Sequence, residues 1–361
     1  MVDKLLRRRL TSQLLAGPVP RGSDAPAAVT RRLLAIQAQD PRGARLAIRA
    51  RSAGATAADV DRALDAGELV ITWLCRGTLH LVCADDYPLL QALTTPQLRV
   101  GSDRRLSQEG VSPEQARRGV QLIERSLRDD GPLSGREPRA RVDAAGIPVA
   151  GQAMIHLLFR AALEGRVVRG PMHGGAEQRY VLVGDWLPSA AAEVTRIAAD
   201  RERALRELAL RFLAGHAPAS DRDLARWAGL PLRDARAGLA ALGDRLRVLD
   251  DGLVSLAGAP RVAALTQPRL LGAYEPVLMG WCSRRLVLGE HDRRIVTGGL
   301  FRPFAFVPAS ERDRPDGEAV AIWKFGRSGA ELDPLRPLDE RLAEALARDG
   351  DAVLRFLERQ P

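Results

Sequence analysis

The chain has 361 residues, 54 of them basic against 45 acidic, for a formal net charge of +9 and a pI near 10.4. That length allows two to four domains, and the basic excess favours a polyanionic partner, nucleic acid first. No apolar run approaches the ~18 residues of a membrane span, Met1 to Leu10 lack the apolar segment of a signal peptide, and three cysteines without a CxxC argue against a disulfide framework or a structural zinc site.

With aromatics at 4%, the core must rest on Leu, Ala and Val, which favours helices. An amphipathic helix is predicted over 2–16, with Leu5, Leu6, Leu10, Leu14 and Leu15 on one side and Gly17-Pro18 as its stop. A second is predicted over 27–39, with Val29, Leu33, Leu34 and Ile36 as its apolar face. Pro41 disfavours the helical conformation for Asp40 and is expected to end it. Helices follow over 45–51 and 57–66, the latter behind Thr56 as N-cap. Two short strands, 69–74 and 78–82, flank Arg76-Gly77.

The pattern recurs. Helices are predicted over 113–127, 136–144 and 150–164, then strands over 166–169 and 178–183 about the glycine-bearing loop 170–175. A third round has a long helix over 192–214, a helix over 220–228 with Ser220 as N-cap and Asp223 in a capping-box position, and a helix over 232–242. Strands over 246–250 and 253–256 close it around Asp251-Gly252, a hairpin signal. Helix, helix, helix, hairpin is the order of a winged helix, and its threefold recurrence reads as a structural repeat in pattern rather than in residue identity. Beyond residue 263, strand-like runs over 286–288, 295–296, 304–307 and 320–323 precede a helix over 338–357, with a charged turn over 310–317. The expected fold is α+β, mainly α with short β-hairpins. It comprises winged helices over 1–83, 84–188 and 189–262, and a C-terminal α+β unit over 263–361.

Chemistry concentrates in Ala35-Ile36-Gln37-Ala38-Gln39-Asp40-Pro41, which places two amides and a carboxylate within four residues. On a regular helix, positions i and i+2 point roughly 200° apart, so both amides face one ligand only if the helix ends between them. A solvated C-terminal turn is the bland alternative. Taken with Arg76-Gly77-Thr78-Leu79-His80, this stretch resembles the AlkZ/YcaQ family of winged-helix DNA glycosylases, and the resemblance covers nearly the whole chain. In the AlkZ-like branch a Gln-x-Gln pair carries the chemistry, and Gln37 and Gln39 match it. The YcaQ branch has Gln-x-Asp; Asp40 falls one residue too late for that pattern, which makes it an electrostatic helper, an N-cap or a surface carboxylate.

The resemblance implies hydrolysis of the N-glycosidic bond of N7-alkylated purines in double-stranded DNA, including bulky adducts and interstrand crosslinks. It also implies self-resistance to DNA-alkylating natural products such as azinomycin, with no cofactor and no metal, in a monomer acting in the cytoplasm on nucleoid DNA. Only Lys4 and Lys324 are lysines, and Schiff-base chemistry needs a deprotonatable lysine in a pocket, so a monofunctional glycosylase is expected. The contrasting reading is a winged-helix transcriptional regulator without catalysis.

Arginines of wings and helix starts are the candidates for holding the phosphate backbone, contacts that carry no sequence information. They are Arg166, Arg169 and Arg179 around the second hairpin, Arg245 and Arg247 at the third, and Arg284, Arg285, Arg293 and Arg294 near the C-terminal loop. His173 falls near the tip of the second wing. Arg76 is read as a phosphate contact or a bracing ion pair, and His80 as a DNA or leaving-base contact or a structural histidine.

Overall fold

Leu69–Leu74 is apolar at almost every position, which suits a strand covered on both faces, and all six of its residues are buried. Its hairpin partner is Thr78–Cys83, with Thr72 opposite His80 and Leu69 opposite Cys83. The turn between them places Cys75 at φ 54 and Gly77 at φ 79. The computed structural model describes residues 2–173, 177–249, 252–307, 317–326 and 329–357. Gly174 and Gly175 of the second hairpin loop, Asp250 and Asp251 at the third, and 310–316 of the charged turn lie outside those residues.

The chain divides into two compact units. One comprises Asp61–Leu205 with Ala228–Leu230; the other comprises Met1–Val60, Arg206–Trp227 and Pro231–Pro361. In the first, the second hairpin, Val167–His173 with Glu177–Leu182, adds to the edge of Leu69–Leu74 through Ile71 opposite Arg169. Helices Pro113–Asp130 and Ala153–Leu163 cover these strands and build a core with Trp73, Val120, Ile123, Leu157, Ala161 and Tyr180. The two helices cross closely because Gly119 has no side chain: a Cβ there would lie 3.0 Å from Leu157. Ser112 and Gln115 form a capping box at the start of the longer helix.

Helices Tyr87–Thr94 and Pro96–Gln108 fall where the sequence offered no amphipathic signal. The first is buried on every side, so no polar stripe marks it. Together they terminate Ala153–Leu163, whose last carbonyls need outside donors. Gln91 Nε2 donates to Leu163 O at 3.0 Å, and Arg99 donates to the same oxygen at 3.1 and 3.2 Å.

In the other unit, Arg269–Leu271, Phe304–Val307, Glu318–Phe325 and Ala330–Pro334 form an antiparallel sheet in that spatial order. Helices Pro41–Arg49 and Glu340–Leu357 are tied to it by Asp349. This carboxylate accepts from Arg49 at 2.6 and 2.8 Å and from Leu270 N at 2.7 Å. Short antiparallel strands Leu246–Val248 and Val254–Leu256 follow helices Asp221–Ala228 and Leu232–Ala240. The expected capping box is present, with Ser220 N donating to Asp223 at 2.8 Å and Asp223 N donating to Ser220 at 3.1 Å.

Three expectations need correction. The long helix over 192–214 is two helices, Ala190–Ala199 and Arg201–His216. Asp200 leaves the helical region (φ −121, ψ 74), and its carboxylate accepts from Arg203 N at 3.1 Å, restarting the chain as a cap does. The run 286–288 lies in a short helix, Arg285–Leu288, rather than a strand; three apolar residues carry no period that separates the two. The third concerns 27–39 and is the basis of the site. The α+β class stands: helices dominate, with small antiparallel sheets between them. No helix among the described residues is long and apolar enough to cross a membrane.

Candidate active site

The helix predicted over 27–39 is Ala25–Leu33 and stops short of both glutamines. Leu34 at φ 65 turns the chain out of it, and Ile36–Gln37 is extended. Pro41 does not end that helix but starts the next, at the first helical position of Pro41–Arg49, where its missing N–H costs nothing. Gln37 and Gln39 therefore lie on the extended connection between two helices, and the 200° separation that a helix imposes does not arise. Gln37 is 7% exposed and so held in place, whereas Gln39 is exposed at the bend before the second helix.

Asp40 takes the N-cap role. Its backbone is extended (φ −106, ψ 112) and its side chain accepts from Gly43 N at 2.9 Å. Asp40→Ala is expected to lower stability by about 1 kcal/mol and Asp40→Asn by much less, read as urea midpoints; equal losses in both would show that the cap bond contributes nothing. Gly43, one turn in, lies against the loop after strand Arg269–Leu271, since a Cβ on Gly272 would stand 2.9 Å from Gly43 Cα. That contact brings Tyr274 near Asp40. Burial, with the Asp40 carboxylate adding to it, holds the Tyr274 phenol above its ordinary pKa. Tyr274 was not among the expected site residues; the signal that could have found it is the string Gly272-Ala-Tyr-Glu-Pro276, whose glycine permits a close backbone approach and whose proline restricts the residue before it.

In the other unit, His80 is 2% exposed on strand Thr78–Cys83. Its Nδ1 lies 2.8 Å from Thr78 O. A carbonyl only accepts, so Nδ1 carries the proton and donates, which leaves Nε2 as an acceptor. Burial first, then the nearby Arg76 charge, pushes its pKa down to about 3, against a smaller upward effect of the Thr78 carbonyl. His80 is therefore neutral. The hydroxyls of Thr72, opposite it, and of Thr78 are buried without a hydrogen-bond partner among the described residues. Arg76 is half-buried at the turn.

His216, in the unit that holds Gln37, is likewise pushed down to about 3, first by burial. It stacks on Phe212 at 4.7 Å. For both histidines the folded pKa lies below the unfolded value near 6.5, so below that pH the unfolded chain binds protons that the folded chain refuses. Stability is then complete above about pH 6.5 and is lost as pH falls toward 3, with each histidine contributing up to ~1.4 kcal/mol per pH unit in that window. Urea titrations at about pH 7.5 and about pH 5 measure this; equal stability at the two would contradict it.

The candidate phosphate contacts sort by what their guanidinium groups already touch. Arg169 lies over Trp73 at 5.1 Å and Tyr180 at 4.8 Å and donates to the Tyr180 hydroxyl at 2.6 Å. Arg179 donates to Pro132 O at 2.9 Å. Arg284 covers Phe301 at 4.9 Å and lies 3.7 Å from Asp292. Arg294 pairs with Asp333 at 3.1 Å, and Arg166 lies 3.9 Å from Glu124. Arg166, His173, Arg245, Arg247, Arg285, Arg293 and Arg294 are exposed. Arg285 belongs to the short helix Arg285–Leu288 and Arg293 and Arg294 to Asp292–Ile295, whereas Arg284, just before the first, is half-buried. Arg247 also lines a cleft of about 550 Å³ with Arg8, Arg32 and Arg261, and no acidic residue lines it among the described residues.

Residues 30–356 match the family model described as DNA glycosylase AlkZ-like. The structure of Streptomyces sahachiroi DNA glycosylase AlkZ is similar in fold, with a TM-score of 0.74 at 20% sequence identity, covering 99% of this chain and 98% of that one. Comparison with curated proteins finds no match.

Proposed function

Because the chain belongs to the AlkZ-like DNA glycosylase family and so acts on DNA, we propose that it hydrolyses the N-glycosidic bond of N7-alkylated purine nucleotides. The substrates include bulky adducts and interstrand crosslinks, and the activity gives self-resistance to a DNA-alkylating natural product. The observation that carries this reading is the Gln37-Ala38-Gln39 connection, with one amide held in the interior and the other presented at the surface.

Alkylation at N7 makes the purine cationic, so it departs with the bonding electron pair and becomes neutral. The barrier left to lower is the oxocarbenium-like sugar and the placing of water at C1′. An amide oxygen accepts a hydrogen bond from water, and an amide nitrogen donates to sugar or phosphate oxygens. Two amides in fixed positions orient the water and stabilise the developing charge through dipoles. The proton of the attacking water passes to solvent, since an amide does not hold it. Neutral catalysts of this kind act on bases that are already good leaving groups and spare ordinary DNA. Both lysines, Lys4 and Lys324, are exposed, and Lys324 pairs with Glu331 at 3.1 Å, so neither is set in a pocket for imine chemistry; the enzyme is monofunctional and leaves an intact abasic site.

Asp40 serves as the cap that fixes the end of the Gln37–Gln39 connection. The exposed arginines hold the backbone of a duplex whose nucleotide, when crosslinked, cannot be rotated out as other glycosylases require. On this reading, winged-helix modules over 1–83, 84–188 and 189–262 act on that duplex as a monomer. The test is base release from a duplex with a single 7-methylguanine, from one with a bulky N7 adduct and from a crosslink, followed by alkali. Free base with alkali-sensitive sites is expected from all three. Tight, sequence-selective binding without release would identify a regulator instead.

A further inference from the structure

Tyr274 is held in a backbone conformation that its side chain disfavours. Its φ of 54 lies in the left-handed region, where an aromatic residue persists only when its surroundings over-determine it. Here the constraint comes from both sides. On one, Gly272 and Ala273 lie directly on the Gly43 backbone in the first turn of Pro41–Arg49. On the other, Glu275 is ion-paired with Arg51, both side chains 0% exposed. Burying an ion pair is itself costly. Two unfavourable features and one close backbone approach thus converge on the placement of a single ring.

That ring is half-buried, and its centroid lies 5.5 Å from that of Phe301 at an interplanar angle of 41°. Arg284 already covers Phe301, which leaves Tyr274 as the accessible member of the pair. The Asp40 carboxylate, next to Gln39, is within electrostatic reach of it. An aromatic face with a carboxylate beside it attracts flat cations and discriminates against neutral molecules of the same shape. A purine alkylated at N7 is such a cation, and guanine is its neutral counterpart.

We propose that Tyr274, displayed beside the Gln39–Asp40 bend and backed by Phe301, is the recognition surface for the cationic base, selecting the lesion by its charge. This rests on the glycosylase reading and concerns how that site chooses its substrate. The attraction is greatest before the bond breaks, because the base loses its charge as it leaves. It therefore tightens binding of the lesion without accelerating the chemical step.

The test uses the full chain and two duplexes that differ at one nucleotide, guanine or 2′-fluoro-7-methylguanosine, whose fluorine slows departure enough for binding to be measured. The wild type is expected to prefer the alkylated duplex. Tyr274→Leu and Tyr274→Gly are expected to lose that preference by on the order of tenfold, and Tyr274→Phe to keep it. On 7-methylguanine duplex, the maximal single-turnover rate should change much less than the enzyme concentration for half-maximal rate. Tyr274→Gly also separates recognition from structure, because glycine relieves the backbone. It is expected to melt no lower than the wild type, whereas a structural ring would lower its melting temperature. Preference retained in the glycine and leucine variants would overturn the proposal, as would a wild type that binds the two duplexes alike. A wild type that prefers the alkylated duplex through Tyr274 yet releases no base would leave this site standing and remove the glycosylase reading.

Discussion

Gln39→Ala is expected to cut single-turnover release of 7-methylguanine by about 10²–10³-fold, the scale of losing one preorganised dipole at a developing charge. Duplex affinity should stay near that of the wild type. Gln39 is exposed, so its truncation leaves no buried cavity, and unchanged duplex binding and melting temperature show that a loss of activity reports on chemistry. Gln37→Ala should cost at least as much, but Gln37 is 7% exposed and its removal also disturbs packing. The informative comparison is therefore Gln37→Glu, which keeps the volume and adds a charge. If the amides act as neutral dipoles, the glutamate variant stays impaired at neutral pH. Release at wild-type rates from either alanine variant would remove the pair from the mechanism. Duplex binding measured alongside release distinguishes a lost catalytic group from a folding defect.

The largest stability effect should come from Arg51 and Glu275. Arg51 donates to Gln13 O at 2.8 Å, to Gln13 Oε1 at 3.0 Å and to Ala47 O at 2.9 Å, and pairs with Glu275 in a site closed to solvent. Glu275→Ala strands a buried guanidinium, and Arg51→Ala strands a buried carboxylate whose second oxygen already lacks a partner among the described residues. Each is expected to cost about 3–5 kcal/mol. Replacing both at once, as Arg51→Met with Glu275→Leu, should return much of that loss, because neither charge is then left buried alone. Denaturant titrations of the two single variants and the double variant measure it; a double variant as unstable as the sum of the singles would show that the pair is not coupled. The double variant also frees the backbone beside Tyr274, so a recovered fold with weakened lesion preference would link the pair to recognition.

The corrections share a cause. Residues 34–39 have helix-forming composition, Leu, Ala, Ile and two Gln, and propensity favours continuing the helix through them. The structure overrides this with one residue, Leu34 at φ 65, and that change moves both glutamines from a helix onto an extended connection. The same override explains 286–288, where burial of Val287 and Leu288 is satisfied by a helical turn as well as by a strand. Tyr87–Thr94 is illegible for the opposite reason, since a segment buried all round has no periodic face to read.

What the sequence by itself determined was local or recurrent. The α+β class follows from composition and from hairpin and cap signals, which the structure realises at Ser220 and Asp223 and at Thr56, whose hydroxyl accepts from Asp59 N at 3.3 Å. Family membership followed from two short motifs. Tertiary structure alone decided which distant segments meet. Arg49 finds Asp349 across 300 residues, and Arg51 finds Glu275 across 224. These pairings gather the first sixty residues and the C-terminal sheet into one unit and set Tyr274 near Asp40. They leave no periodic trace, because a hydrophobic pattern records which face of an element is buried and not which element covers it. Charge states followed the same rule: the side chain of His80 is neutral because of what encloses it, and that enclosure exists only in the folded chain.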